Sequence, residues 1–255
     1  MKLKIGYFYP QELNLYGDNG NVEILVSRAR ARNIDVEVLH ITPEFNLTSK
    51  EMSTINLVFM GGGPDSSQKV ISDDFLNNKG KYLQDYIELG GVGLYICGSY
   101  QLLGKYYKPA TGPSITGLGV FNLFTQHFGN HKPRCIGNVV CKLNADITSN
   151  PLFKAVNFYN TKTLVGFENH GGRTYLTQPL QALGKVKKGN GNNSEDGTEG
   201  YHYKNSFGSY FHGPILSRNP HFADYLIAES LQTMHLPQLD DSLIYESHSA
   251  SLGYK

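Results

Sequence analysis

The strongest constraint on this chain lies in its first hundred residues, where short apolar runs of strand length alternate with stretches of helical period. Lys2–Tyr9 reads as a buried strand, and Pro10–Gly20 after it is rich in turn formers, with Asp18 and Asn19 as candidate helix caps. Val22, Leu25, Val26 and Ala29 then recur at helical spacing. Val36–Ile41 and Asn56–Met60 are two further short runs, and the second leads directly into Gly61-Gly62-Gly63-Pro64. Phe75–Leu89 fits a helix stopped by Gly90 and Gly91, Val92–Ile96 is the next strand, and Gly98–Gly104 opens another helix. Strands that alternate with helices are most simply joined in parallel, because each crossover lays a helix on a face of the sheet.

From about residue 115 the texture changes. Gly117–Val120, Ile136–Leu143, Leu164–Phe167, Leu183–Lys187 and Ser206–Phe211 are separated by Gly, Asn and Pro, the pattern of antiparallel strands and hairpins. Lys187–Gly200 has no apolar residue and is expected to be a mobile hairpin tip on the surface. Phe222–Met234 carries a helical apolar pattern, and the tail from His235 is too polar for its pattern to assign an element. The fold expected is α/β: a flavodoxin-like, mostly parallel sheet with helices on both faces and an added antiparallel portion in the second half. Residues 1–234 are expected to form one domain and residues 235–255 a C-terminal tail.

Charge excludes little by itself but removes two classes. Lys and Arg total 23 against 22 Asp and Glu, so the chain as a whole offers no electrostatic handle for nucleic acid or an anionic membrane. The amino terminus lacks the apolar stretch of a secretory signal, and no run approaches the roughly 18 apolar residues of a membrane span. Cys97, Cys135 and Cys141 do not make a disulfide framework, which fits a reducing, cytoplasmic setting.

The sharpest chemical feature is the stretch Gly93–Gly104 (GLYICGSYQLLG), a strand ending on Cys97 and followed at once by small residues that open a helix. That is the setting of a nucleophile elbow, where the turn is strained and the backbone must come close to a substrate. A helix N-terminus beneath the sulfur would favour the thiolate, the reactive form. The bland alternative is a buried cysteine closing a core strand. Gly61–Pro64 at the end of the preceding strand supplies bare backbone N–H groups able to face a developing oxyanion, or else is an ordinary Gly-Pro turn. Its continuation, Asp65-Ser66-Ser67-Gln68-Lys69, lacks the Gly-Lys-Ser/Thr ending of a phosphate-binding loop, which does not support an ATP site.

His212, in Tyr210-Phe211-His212-Gly213-Pro214, stands at the end of an expected strand, where a base could reach a cysteine; without the cysteine it would read as a structural histidine. His127, His131, Cys135 and Cys141 match no common zinc spacing, so no metal is expected. Arg134, in Lys132-Pro133-Arg134, could pair with a substrate carboxylate or sit on a solvated surface.

Cys97–Gly104 (CGSYQLLG) resembles the cysteine motif of class I, triad-type glutamine amidotransferases, most closely the cobyric acid synthase-like branch with its Cys-Gly-Gly-Tyr-Gln-Met/Leu-Leu-Gly. Ser99 stands where that pattern has a glycine. Tyr210–Gly213 resembles the branch's histidine motif and Gly61–Pro64 the oxyanion strand of the class. Leu13–Asn21 (LNLYGDNGN), Phe59–Pro64 and Gln68 further resemble the GatD-type glutaminase subunits of lipid II isoglutaminyl synthase. The resemblance runs from the first strand to about residue 220. It implies Cys97 as nucleophile, His212 as base, Arg134 as a contact to the substrate L-glutamine, and backbone N–H groups of Gly62, Gly63 and Gly98 as the oxyanion hole.

The same resemblance implies a partner, a Mur-ligase-like (MurT-type) synthetase subunit that forms a heterodimer with this chain. That subunit would use ATP, and this chain would need no cofactor, to amidate the D-glutamate of lipid II in peptidoglycan synthesis at the inner face of the membrane. The wider class has a Glu two residues beyond the histidine, and here that position is Pro214. A third group could come from elsewhere in the chain or from the partner. Other readings are a glutaminase serving another synthetase, as in cobyrinate-type amidation, a non-enzymatic flavodoxin-like binding module, and a cysteine peptidase or esterase on the same kind of elbow.

Overall fold

β1 (Lys2–Phe8) lies inside a sheet of order β13-β14-β4-β3-β1-β2, in a computed structural model that describes residues 1–178 and 181–253. Its partners are β2 (Asp35–Ile41), β3 (Leu57–Met60), β4 (Val92–Ile96), β13 (Tyr201–Tyr203) and β14 (Ser206–Ser209). Every pairing is parallel except that of β13 with β14. β3 and β4 are buried along their whole length with no polar alternation, which is the pattern of strands covered on both faces.

Helices supply that cover. α1 (Asn19–Arg30) packs with α8 (Pro220–Leu231), which crosses β1, β3 and β4. α2 (Ser49–Met52) is a single turn closed by a capping box between Thr48 and Glu51. α3 (Asp65–Asp74) runs through a wider turn at Phe75–Lys79 into α4 (Gly80–Glu88), which docks through the Tyr86 hydroxyl donating to the carbonyls of Asn56 and Val92. The helix therefore starts ten residues before the Phe75 expected from sequence, because α3 buries only Gln68 and Ile71 and shows almost no apolar stripe.

The second half adds two sheets. One has the order β10-β7-β5-β6, from β5 (Tyr106–Lys108), β6 (Ile115–Thr116), β7 (Leu123–His127) and β10 (Gly172–Leu176). Gly117–Val120, expected as a strand, lies in the loop after β6. The other is antiparallel throughout, in the order β12-β11-β8-β9-β15, from β8 (Cys135–Leu143), β9 (Thr163–His170), β11 (Gly184–Lys188), β12 (Thr198–Glu199) and β15 (Phe211–His212). The run Ser206–Phe211, read as one strand, serves two sheets. β14 pairs parallel with β4, the chain turns at Tyr210, and β15 pairs with β9.

The stretch expected to be a mobile tip, Lys187–Gly200, is stapled down instead. Asn192, Asn193 and Glu199 are buried, the backbone N–H groups of Asn190 and Gly191 donate to Glu168, and Asn192 exchanges two hydrogen bonds with Gly200. Side-chain amides here do what apolar packing does elsewhere, so a count of apolar residues misreads the segment. Two short helices, α6 (Ala145–Ser149) and α7 (Pro151–Val156), lead back toward α8. Beyond residue 235 the chain carries α9 (Ser242–Gly253), whose His248 bonds to Thr163 and to the carbonyl of Arg218. Just before it, Asp241 shares the Arg28 guanidinium with Asp224 of α8, and Arg32 pairs with Asp224 as well.

Candidate active site

Cys97 sits between β4 and α5 (Gly98–Leu102) at φ 51° and ψ −101°, a backbone conformation that residues with side chains avoid. The surrounding structure imposes it. The Cys97 N–H donates to the carbonyl of Ser209 on β14, and the Cys97 carbonyl accepts from Gln101 in α5. Ser99, the residue that departs from the family's glycine, is fully buried and donates its hydroxyl to the carbonyls of Met60 and Ile96, tying the ends of β3 and β4 under the turn. At five residues, α5 offers a weaker dipole than a full helix, so the charge facing the sulfur comes mainly from elsewhere.

That charge is His212. β15 delivers it beside Cys97, where it is almost wholly buried, with Nε2 bonded to no described group and Nδ1 3.1 Å from Oδ1 of Asp18. Burial opposes the imidazolium, but the Cys97 thiolate, together with hydrogen bonding and charge from Asp18, outweighs it and raises the His212 pKa to about 10. The edge of the Tyr16 ring meets the imidazole with centroids 4.9 Å apart. A thiol, an imidazole and a carboxylate bonded to the imidazole's Nδ1 thus lie together, an arrangement chemically able to activate a thiol for attack on an acyl carbon.

The three glycines expected at the oxyanion hole divide. The Gly62 N–H donates to Oδ2 of Asp18 at 2.8 Å, so it is not free to meet an oxyanion, and the expected role does not hold for this N–H. Gly62 matters as a space: a Cβ there would lie 2.9 Å from Cys97 Cβ and 3.0 Å from His212 Cε1. The Gly63 N–H donates to no described group. Gly98 opens α5, where backbone N–H groups have no partner inside the helix. A Cβ on Gly98 would stand 3.0 Å from Gly63 N, so the two loops run close together beside the sulfur.

A cavity of about 490 Å³ opens over Cys97. Arg134 borders it, exposed, with Nε and Nη2 bonded to Asn169 and Nη1 bonded to no described group. Asn169 in turn donates to the Tyr16 hydroxyl, so one chain of contacts runs from Arg134 to the ring that flanks His212. At the base Gln68 donates to Gln101 and to the Gly63 carbonyl, and Gln101 donates to Tyr210, which stacks on His170 at 3.7 Å.

Of the site residues expected from sequence, Cys97, Arg134 and Gly63 line this cavity, whereas His212, Gly62 and Gly98 are buried and do not line it. In the sequence Asp18 is a candidate helix cap and one residue of the Leu13–Asn21 likeness, with no catalytic role expected of it, and its side chain caps no helix. Its true contact is 194 positions away, and no local pattern reports it. Cys135 and Cys141 lie elsewhere: Cys135 Sγ accepts from Arg173, and Cys141 is buried on β8. Among the described residues no group of three or more His, Cys, Asp or Glu is disposed to hold a metal ion, and no helix is long and apolar enough to cross a membrane.

Comparison with known proteins bears on the same residues. Residues 4–220 match the model of the CobB/CobQ-like glutamine amidotransferase domain. The chain is 40% identical over 252 residues to a Streptococcus pneumoniae protein named lipid II isoglutaminyl synthase (glutamine-hydrolyzing) subunit GatD, covering 96% of this chain and 88% of that one. It is 39% identical to the Staphylococcus aureus protein of the same name, covering 92% and 87%. Among solved structures, the glutaminase domain of Trypanosoma brucei CTPS superposes with a TM-score of 0.56 at 12% identity over 92% of this chain and 97% of that one. PurLQS from Thermotoga maritima gives 0.54 at 13%, over 91% and 99%. At those identities the structures speak for the fold alone, whereas the family model and the two full-length relatives speak for descent: the chain belongs to the CobB/CobQ-like glutamine amidotransferase family.

Proposed function

We propose that this chain is the glutaminase subunit of a lipid II isoglutaminyl synthase. The observation that carries the reading is the buried Asp18–His212 pair set against a cysteine on a strained strand–helix turn, in a chain 40% identical to a GatD subunit along nearly its whole length. The Cys97 thiolate attacks the carboxamide carbon of L-glutamine, whose α-carboxylate is taken by Arg134. The tetrahedral oxyanion lies against the backbone N–H groups of Gly63 and Gly98. His212 gives its Nε2 proton to the departing ammonia, and Asp18 holds the ring in the required orientation. Water, deprotonated by His212, then cleaves the γ-glutamyl thioester to release glutamate and restore the thiolate.

On this reading the ammonia passes to a Mur-ligase-like synthetase subunit, which uses ATP to activate the D-glutamate carboxyl of lipid II, and this chain needs no cofactor of its own. The experiment is to co-purify the chain with that subunit and supply lipid II, ATP and glutamine labelled with ¹⁵N at the amide. Label should enter the lipid-linked peptide, and Cys97→Ala should abolish its transfer while added ammonium still supports amidation. Transfer undiminished in Cys97→Ala would contradict the assignment. A cobyrinate-type acceptor amidated in place of lipid II would leave the glutaminase in place and move the pathway.

A further inference from the structure

Two charges of opposite sign border the cavity over Cys97. Among its described lining residues Arg134 is the one guanidinium, and Asp65, in the first turn of α3, is the one carboxylate. Asp65 takes no part in the cysteine–histidine chemistry, yet it is held as a working group is held. Its Oδ1 accepts from the Tyr107 hydroxyl at 3.0 Å, and Tyr107 is itself buried on β5, so the carboxylate has a fixed bearing. Oδ2 accepts from no described group.

The neighbours do not neutralise it. His127 on β7 has its Nδ1 occupied by the Gly129 N–H, and burial, helped by Arg134 and Arg173, lowers its pKa against the pull of Asp65. The imidazole is therefore neutral at physiological pH and places no cation between Asp65 and the cavity. Gln68 and Gln101 are uncharged and bonded to each other. The cavity thus offers one anchored carboxylate and one anchored guanidinium, each with an unused hydrogen-bonding atom, over a single nucleophile.

A free α-amino acid presents an ammonium and a carboxylate on one carbon, which is the charge pattern this wall complements. We infer that Asp65 receives the α-ammonium of the substrate while Arg134 takes its α-carboxylate, so that Asp65 sets the preference for an α-amino acid amide over its des-amino analogue. This rests on the glutaminase reading and adds to it a specificity-determining residue. A carboxylate already pinned by Tyr107 loses little freedom on binding, and a site built to bond an ammonium rejects a ligand that lacks one.

The test compares L-glutamine with glutaramate, the same carboxamide without the α-amino group, as substrates of the full chain alone and with its co-purified synthetase. The wild type is expected to favour L-glutamine by about 10²-fold in kcat/KM. Asp65→Asn should shrink that ratio below about tenfold, by raising KM for L-glutamine while glutaramate turnover stays within about threefold. Tyr107→Phe, which frees the carboxylate without removing it, should give a smaller loss in the same direction and serves should Asp65→Asn fail to fold. Equal loss on both substrates, or an unchanged ratio in the variants, would overturn the assignment of Asp65 and leave the glutaminase intact. A folded wild type that releases ammonia from neither substrate would overturn both.

Discussion

Asp18 and His212 stand 194 residues apart in the chain and 3.1 Å apart in the fold, and the same carboxylate also receives the N–H of Gly62. One buried acid therefore holds both His212 and the glycine loop beside Cys97. The Glu that the wider class carries two residues beyond its histidine is replaced here by Pro214, and Asp18 faces the nitrogen that such a group would hold.

Asp18→Asn keeps the shape and removes the charge. The account predicts a fall in kcat of about 10²- to 10⁴-fold for glutamate release, with little change in KM, since the lost interaction acts on His212 and not on glutamine. Activity close to that of the wild type would show that a group outside this chain orients His212.

Gly62→Ala places a methyl 2.9 Å from Cys97 Cβ and 3.0 Å from His212 Cε1. Pushing the two apart should cost about 10²-fold in turnover, because attack geometry tolerates little displacement. Thermal unfolding should shift far less than activity, and a variant that turns over normally would place the reacting pair elsewhere.

The pH profile follows from the sign of the His212 shift. Raised from 6.5 to about 10, the imidazolium persists through neutral pH, so ammonia release should fail only as pH approaches 10. Its contribution to stability is complete below about 6.5 and is lost as pH rises through about 10. Asp18→Asn, which removes one of the groups raising that pKa, should move the alkaline limb of kcat toward neutrality; a limb that stays in place would remove Asp18 from the titration.

How much of this was legible beforehand depends on the range of the interactions. The elbow at Cys97 and the strand–helix alternation are local, set by neighbours in sequence, and they read correctly. Tyr210 divides one apolar run between two sheets, and Asn192, Asn193 and Glu199 are buried in a segment with no apolar residue. Both arise from pairings across the fold that a periodicity count cannot sense. The contact of Asp18 with His212 was invisible for the same reason, since its sequence neighbours suggest a helix cap and a family likeness but not a partner 194 positions away.

Glu199, bonded to the Ser209 whose carbonyl holds the Cys97 N–H, gives a stability test. Burial pushes its carboxyl up to about 8, and its Oε1 accepts from Ser209 and the Tyr210 N–H while Oε2 has no hydrogen-bond partner among the described residues. The folded state holds this proton more tightly than the unfolded chain, so its contribution is complete below about 4.5 and disappears as pH rises through 8. Glu199→Gln should be near neutral at pH 5 and stabilising at pH 9, on the order of a few kcal/mol in denaturant unfolding. An equal effect at both pH values would mean that the group is ionised throughout.

Asp224→Ala leaves Arg28 buried with Asp241 as its carboxylate and Arg32 buried with no carboxylate among the described residues. Breaking a buried pair on one side typically costs about 3–5 kcal/mol, and here the loss should loosen the contact of α1 with α8. Urea unfolding measures the cost, and a change under about 1 kcal/mol would show that the network carries little of the fold.

The most direct measurement of the central claim is glutamate and ammonia release from L-glutamine by the purified chain, wild type beside Cys97→Ala, with and without the co-purified synthetase. The account predicts release that rises with the partner and disappears in Cys97→Ala. Release that survives the loss of Cys97, or a folded wild type that releases nothing in either condition, would contradict it.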